Sequence, residues 1–413
     1  MTTPRYLGEL QCPRCGTPVA EAQAYWGCKQ CTDRGLGVNL AAGYDLTGLS
    51  EVPVDAAQPG LFRYRELLPL RADTPAVSLG EGSTPLLHLR RYGAAHGLSR
   101  LLLKDESRNP TWSYKDRLAA VAVTKARELG ATRIVVSSSG NHGAAAAAYA
   151  AAAGIECVVL TIASVPDTMK VLMQSYSAHV YALTHPDDRW TLMRTLVAEH
   201  GWMPISGFLR PPVGSNPFGI DGYKTISYEL AADLGDAPDV VAVPTAYGDG
   251  LVGIHRGFVE LHEIGVTTKV PRMVAVDPLG AYAAACRAGA ITEVPDVDSV
   301  AFSIAVPTGT QQALDAVTAS GGTALAGGDD EEILRRQREL ARAEGLFLEP
   351  SSVVPLTALD DLVAAGVAGP DDAVVLIGTS SGLKDVGAAA GPLPAVPVIE
   401  PDIRSLERYL ALS

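Results

Sequence analysis

Short apolar runs alternate with segments of helical spacing through most of this chain, and that alternation restricts its fold more than any other feature. LLLKDE (Leu101–Glu106), RIVVSSS (Arg133–Ser139), ECVVLT (Glu156–Thr161) and HVYALT (His179–Thr184) read as strands. After a Pro/Gly-rich break over 209–217, the series resumes with VVAVPTA (Val240–Ala246), RMVAVDP (Arg272–Pro278), LFLEP (Leu346–Pro350) and AVVLIGTS (Ala373–Ser380). Helical spacing fills the intervals at 115–129, 141–153, 166–177, 187–200, 221–234, 250–261, 330–345 and 352–366. Strands this short and apolar are buried on both faces, as in a parallel sheet covered by helices. Two such series predict an α/β protein with two doubly wound parallel-sheet domains.

With 413 residues, length predicts about two to three domains. A net charge of -13 argues against nucleic acid as a partner, because that binding needs a basic face. No uninterrupted run of about 20 apolar residues is present to span a membrane. The Ala-rich stretch Ala144–Ala153 is too short and reads as a close-packed helix. The opening MTTPRYLGEL has no apolar run behind it, so a cytoplasmic protein is expected.

Four of six cysteines cluster as CPRC (Cys12, Cys15) and CKQC (Cys28, Cys31), before a polar connector over 45–60. Paired C-x-x-C knuckles suit tetrahedral Zn2+. Four thiolates close the site, so such a zinc would be structural. A reduced, metal-free knuckle pair is the alternative.

Ligands of open α/β sheets bind beyond the carboxyl ends of strands. SSSGNHG (Ser137–Gly143) places Ser138, Ser139, Asn141 and His142 at a helix N-terminus, where free N–H groups favour an anion. It reads equally as a capping turn. YGDGL (Tyr247–Leu251) carries two glycines that fit a phosphate cradle, although many turns of this kind look alike. TSSGLKD (Thr379–Asp385) offers neutral hydroxyls that either meet a ring nitrogen or cap a helix. Lys115, in NPTWSYKDRLA, stands behind a turn of small hydroxyl residues and Trp112. A lysine in a cleft can form a Schiff base with a carbonyl. Together with an anion loop, a glycine cradle and a neutral hydroxyl, it meets the needs of pyridoxal phosphate.

These residues carry a resemblance. GEGSTPLL (Gly80–Leu87), KDESRNPTWSYKDR (Lys104–Arg117), SSSGNHG, NPFGIDGYKT (Asn216–Thr225), EGLFLEPSS (Glu344–Ser352) and GTSSGLKD (Gly378–Asp385) occur in this order. Nearly all of the chain resembles the threonine synthase-like branch of the fold-type-II pyridoxal-phosphate enzymes. The resemblance implies a zinc-ribbon-like element over 1–50, a large cofactor-binding domain over 51–115 and 215–413, and a small α/β domain over 116–214. It implies Lys115 as the Schiff-base lysine and Asn141 at the pyridoxal 3'-oxygen. Thr245, Gly248, Asp249, Gly250 and Leu251 fall at the cofactor phosphate, with Thr379 and Ser380 at the ring nitrogen. Trp112, Ser113, Ser138, Ser139, Asn141 and His142 fall around the amino-acid substrate. It also implies a homodimer.

The departures are specific. Trp112 stands where the motif has Gly, His142 where threonine synthases tend to have Thr, and Gly219 where their NPxR segment has a phosphate-binding Arg. An Arg lost from a bidentate phosphate contact is not a conservative change. The sequence therefore predicts a lyase or synthase working at Cβ or Cγ of an amino acid other than O-phosphohomoserine. The alternative is threonine synthase, which makes threonine and phosphate from O-phosphohomoserine and water. A nicotinamide oxidoreductase is disfavoured, since no G-x-G-x-x-G follows a strand with an acid about 20 positions on. A catalytically silent protein that uses its zinc ribbon on a partner would show no amino-acid-dependent change in a cofactor spectrum.

Overall fold

The computed structural model describes residues 6–391 and 393–410, so the first five residues of the opening segment lie outside the described part. Twelve strands are present among the described residues. They are β1 (Leu7–Gln11), β2 (Ala41–Tyr44), β3 (Leu86–His88), β4 (Arg100–Asp105), β5 (Arg133–Ser137), β6 (Glu156–Ile162), β7 (His179–Leu183), β8 (Met203–Pro204), β9 (Val240–Pro244), β10 (Arg272–Asp277), β11 (Thr323–Ala326) and β12 (Ala373–Gly378).

They form three sheets. One has six strands in the order β11-β10-β9-β12-β4-β3, and another has four in the order β7-β6-β5-β8. The third is the antiparallel pair β1-β2 near the four cysteines. Every pairing in the four-stranded sheet is parallel. The six-stranded sheet is parallel except for β3, which runs antiparallel along β4.

Burial follows position. All six residues of β12 and all five of β9 are buried, because helices cover both faces there. The edge strand β7 is largely exposed. Six helices matter for the site: α1 (Lys115–Glu128), α2 (Asn141–Ala153), α3 (Lys224–Leu234), α4 (Asp249–Glu263), α5 (Gln311–Ala319) and α6 (Pro350–Thr357). The alanines of α2 leave little side chain between neighbouring backbones. Ala144 to Ala147 and Tyr149 are fully buried in one core with Val121 and Ala122 of α1.

The expected strand over 346–350 does not form. Leu348 makes one isolated bridge to Ser381, and Pro350 opens α6 where its missing N–H costs nothing. The helix expected over 352–366 divides into α6 and a second helix, Leu359–Ala364. Five strands, β1, β2, β3, β8 and β11, are additional to the expected set.

Register aligns Gly378 with Asp105, and Val276 with Pro244. The loops after β4, β9, β10 and β12 therefore open at one edge of the large sheet.

Candidate active site

Lys115 is the first residue of α1, and the turn before it is bound to the loop after β12. Ser113 bridges Ser380, the Tyr114 N–H donates to the Thr379 carbonyl at 2.9 Å, and the Ser381 N–H donates to the Trp112 carbonyl at 3.1 Å. Behind the lysine, Asp116 accepts from the Thr111 N–H and hydroxyl at 2.8 and 2.7 Å. Burial raises the Asp116 carboxyl to about 7, against the pull of those two bonds. Arg117 is wholly buried. It donates to Glu106 at 2.7 and 2.8 Å, to Glu229 at 2.7 and 2.8 Å, and to Thr225 at 2.8 Å. That ion cluster fixes the start of α1 to β4 and α3. The string KDR gave no sign of it, because Glu229 lies 112 positions away.

The Lys115 amine lies 4.7 Å from the Tyr114 ring centroid and 5.8 Å from that of Tyr223. It donates to the Tyr114 hydroxyl at 3.5 Å. The cradle after β9 approaches from the other side. A Cβ on Gly250 would lie 2.6 Å from Tyr114 Cε2, so only glycine lets the first turn of α4 come this close. Gly248 has φ +82, and a Cβ there would meet Ala313 at 2.3 Å. An incoming anion at this turn meets the unbonded N–H groups that begin any helix. The Asp249 carboxylate turns away from the cradle. It accepts from the Ser215 N–H at 3.1 Å and the Ser215 hydroxyl at 2.6 Å. Leu251 is buried in the core, and the Thr245 hydroxyl donates to the Val243 carbonyl at 2.7 Å.

The turn after β5 brings the remaining residues. Ser138 Oγ accepts from the Gly140 and Gly143 N–H groups at 3.1 and 2.9 Å, which is the capping role. Ser139 is half-buried in the same turn. Asn141 is buried; its amide donates to both oxygens of Glu349, and its carbonyl faces the Ser380 hydroxyl at 3.3 Å. His142 Nε2 is buried and has no hydrogen-bond partner among the described residues. Burial first, then the charge on Lys115, holds His142 well below its ordinary value, so its ring is neutral. Ser113 is fully buried, and its hydroxyl accepts from the Lys115 N–H at 3.3 Å. Trp112 is 46% exposed with φ +57, a conformation that costs a non-glycine residue about 1–2 kcal/mol.

The donor set fits pyridoxal phosphate: an amine for the aldehyde, a helix N-terminus for the phosphate, an amide for the phenolic oxygen and the Thr379 hydroxyl for the ring nitrogen. Sequence reading missed Glu349 as part of this set, and its signal was only an acid beside Pro350 in EPSS.

The four cysteine sulfurs all lie within 4.8 Å of one another. Cys12–Cys31 and Cys15–Cys28 are 3.8 and 3.6 Å apart. A tetrahedral zinc with Zn–S near 2.3 Å spaces its sulfurs about 3.8 Å apart, so the cluster has the right size. The element is tied to the cofactor side of the protein. Asn39 Nδ2 donates to the Ser215 carbonyl at 2.8 Å, and Arg14 grips Asp315 of α5 at 2.9 and 2.8 Å.

Comparison with known proteins shows the family of the chain. The family profile described as "Pyridoxal-phosphate dependent enzyme" matches residues 77–380. A threonine synthase of Methanosarcina acetivorans is 34% identical over 385 residues, covering 91% of this chain and 92% of its own. One of Methanocaldococcus jannaschii is 32% identical, covering 97% and 98%. The structure of threonine deaminase isoform 2 from Solanum lycopersicum superposes with a TM-score of 0.61 at 16% identity, covering 80% of this chain and 83% of that one, which speaks for the fold. No helix among the described residues is long and apolar enough to cross a membrane.

Proposed function

This chain belongs to the threonine synthase-like branch of the fold-type-II pyridoxal-phosphate-dependent enzymes, and on that premise we propose that it carries out the threonine synthase reaction, O-phosphohomoserine and water giving threonine and phosphate. The near full-length likeness to threonine synthases supports this substrate over the other amino acids that the sequence departures suggested. The geometric support is the meeting of Lys115, Tyr114 and Gly250 at one point, opposite a neutral His142. The reading keeps the homodimer, and it keeps zinc on Cys12, Cys15, Cys28 and Cys31.

Bound pyridoxal phosphate supplies an electron sink for a carbanion at the substrate α-carbon. The rest falls to the chain. Lys115 Nζ would hold the cofactor through its aldehyde and be released when substrate binds. The freed amine then takes the α-proton as general base and hands protons on as phosphate leaves Cγ and water adds at Cβ. Tyr114 and Tyr223 keep water from one side of that amine, and no carboxylate is paired with it among the described residues. The Thr379 hydroxyl is a neutral partner, which leaves a ring nitrogen unprotonated and suits elimination and replacement. His142, held neutral, presents Nε2 to the substrate.

A second reading, another β- or γ-substituted amino acid, has one observation in its favour. A Cβ on Gly219 would lie 2.9 Å from Leu118 Cγ and 3.0 Å from Ala122 Cβ of α1. The backbone at the usual arginine position is pressed against the helix that carries Lys115. Phosphate release from O-phosphohomoserine decides between the two. Catalytic release by the wild type, absent in Lys115→Ala, is the expected result. No release from protein that holds its cofactor through Lys115 would pass the assignment to the second reading.

A further inference from the structure

Asn141 and Glu349 are 208 positions apart, on loops that belong to different sheets, yet Asn141 Nδ2 meets Glu349 Oε1 at 2.9 Å and Oε2 at 3.0 Å. Both side chains are buried. Glu349 is itself held in place, since its N–H donates to the Ser380 carbonyl at 3.1 Å. On the other side of the amide, Asn141 Oδ1 faces the Ser380 hydroxyl at 3.3 Å. A primary amide has two N–H donors and one carbonyl acceptor. The Ser380 hydroxyl also donates to the Trp112 carbonyl at 3.0 Å, so the two Glu349 oxygens are what set the flip, with Nδ2 toward them and Oδ1 toward Ser380. One N–H is then committed to Glu349, and the second is left with a fixed direction.

A buried carboxylate is costly unless something compensates it. Burial does raise the Glu349 carboxyl above its ordinary range, and the charge on Lys384 opposes that rise. Lys384 is buried too, its amine donating to the Thr111 carbonyl at 2.6 Å. An acid and a base are thus retained in the interior beside Asn141, where a hydrophobic pair would pack more cheaply.

We propose that Glu349 is the positioning residue for Asn141, locking its amide so that the second N–H is aimed at the 3'-oxygen of pyridoxal. This rests on the assignment of Lys115 and Asn141 made above. Glu349 does not touch substrate in this account; it acts through the amide.

The test is a double-variant cycle on purified, cofactor-loaded protein. It reads the visible absorption band of the lysine-bound cofactor, the pH at which that band titrates, and kcat. In Glu349→Ala the band should titrate at a different pH, and kcat should fall on the order of ten- to a hundred-fold. Asn141→Ala should do the same. The double variant should be no worse than Asn141→Ala, because a positioning residue has no effect once its target is gone. Additive losses, or wild-type titration and kcat in Glu349→Ala, would overturn the proposal. If Glu349→Ala does not yield folded protein, Glu349→Leu, which likewise removes both acceptor oxygens, passes through the same cycle under the same criteria. Lys115→Ala separates the two readings. A band that survives in that variant overturns the lysine assignment and this proposal together. A cycle that fails while the band depends on Lys115 counts against Glu349 alone.

Discussion

Ser352 Oγ and Thr379 Oγ1 lie 2.8 Å apart, and the same Ser352 oxygen accepts the Ser380 N–H at 2.8 Å. Either hydroxyl can donate within that pair, and the Ser352 hydroxyl also reaches the Ser380 carbonyl at 3.3 Å. With Ser352 as the donor of the pair, the Thr379 proton is free, and an unprotonated ring nitrogen is the partner it suits. Thr379→Val should lower kcat about ten-fold, the scale of one lost hydrogen bond. Cofactor affinity should change less. Steady-state kinetics with a cofactor titration checks this, and wild-type values for both would remove Thr379 from the ring nitrogen.

Trp112 occupies left-handed backbone at φ +57 with nearly half of its surface exposed. Trp112→Gly relieves that strain and gives up only partial packing. The variant should melt at the same temperature or higher, with a gain of up to about 1 kcal/mol. Its KM for the amino-acid substrate should shift. Thermal unfolding beside substrate kinetics tests the pair of claims, and unchanged kinetics would leave the indole as surface packing.

Burial lowers the Lys384 amine to about 8, against the opposing charges of Glu349 and Asp116. Between that value and the ordinary 10.5 of a lysine, the unfolded chain binds more protons than the folded one. The resulting stability is present above 10.5 and is lost as pH falls through about 8. From pH 8 to pH 10, wild type should therefore gain about 2 kcal/mol relative to Lys384→Met. Urea unfolding at several pH values gives the difference directly, and parallel curves would contradict it.

With zinc on the four cysteines, as proposed, its removal should do more than loosen the N-terminus. Asn39 holds the Ser215 carbonyl, and Ser215 holds Asp249 at the first turn of α4. Chelation, or Cys15→Ser, should reduce zinc content, lower the melting temperature and raise the Kd for pyridoxal phosphate. Metal analysis with cofactor titration follows all three; a Kd that ignores the metal would break the link between the knuckles and the cradle.

How much of this was legible in the sequence depends on the range of the interaction that fixes each feature. The parallel sheets were legible because burial on both faces leaves its mark within five or six residues, as in VVAVP and AVVLIG. Motif order pointed to the loops, and β4–β12 register carries two of them to one edge. The short strands β3 and β11 have too few residues for a period to register. LFLEP has strand composition, but its partner is the single residue Ser381, so tertiary contact overrides its local preference. The Asp249 carboxylate, an acid within a loop read as a phosphate cradle, is drawn aside by Ser215, 34 positions earlier, which no local pattern shows. The Asn141–Glu349 and Arg117–Glu229 contacts depend on distant pairs that no local pattern encodes.

The bridge between Ser113 and Ser380 has a mechanical meaning. In the proposed reading, the residues flanking it would carry, on one side, the amine that tethers an aldehyde and, on the other, the hydroxyl that faces a ring nitrogen. Those two groups address opposite edges of the same aromatic ring. Backbone hydrogen bonds, which barely stretch, set the span between them, so the ribbon works as a caliper. A rotation of the four-stranded sheet would carry Asn141 and His142 with it while leaving the jaws of that caliper at their setting.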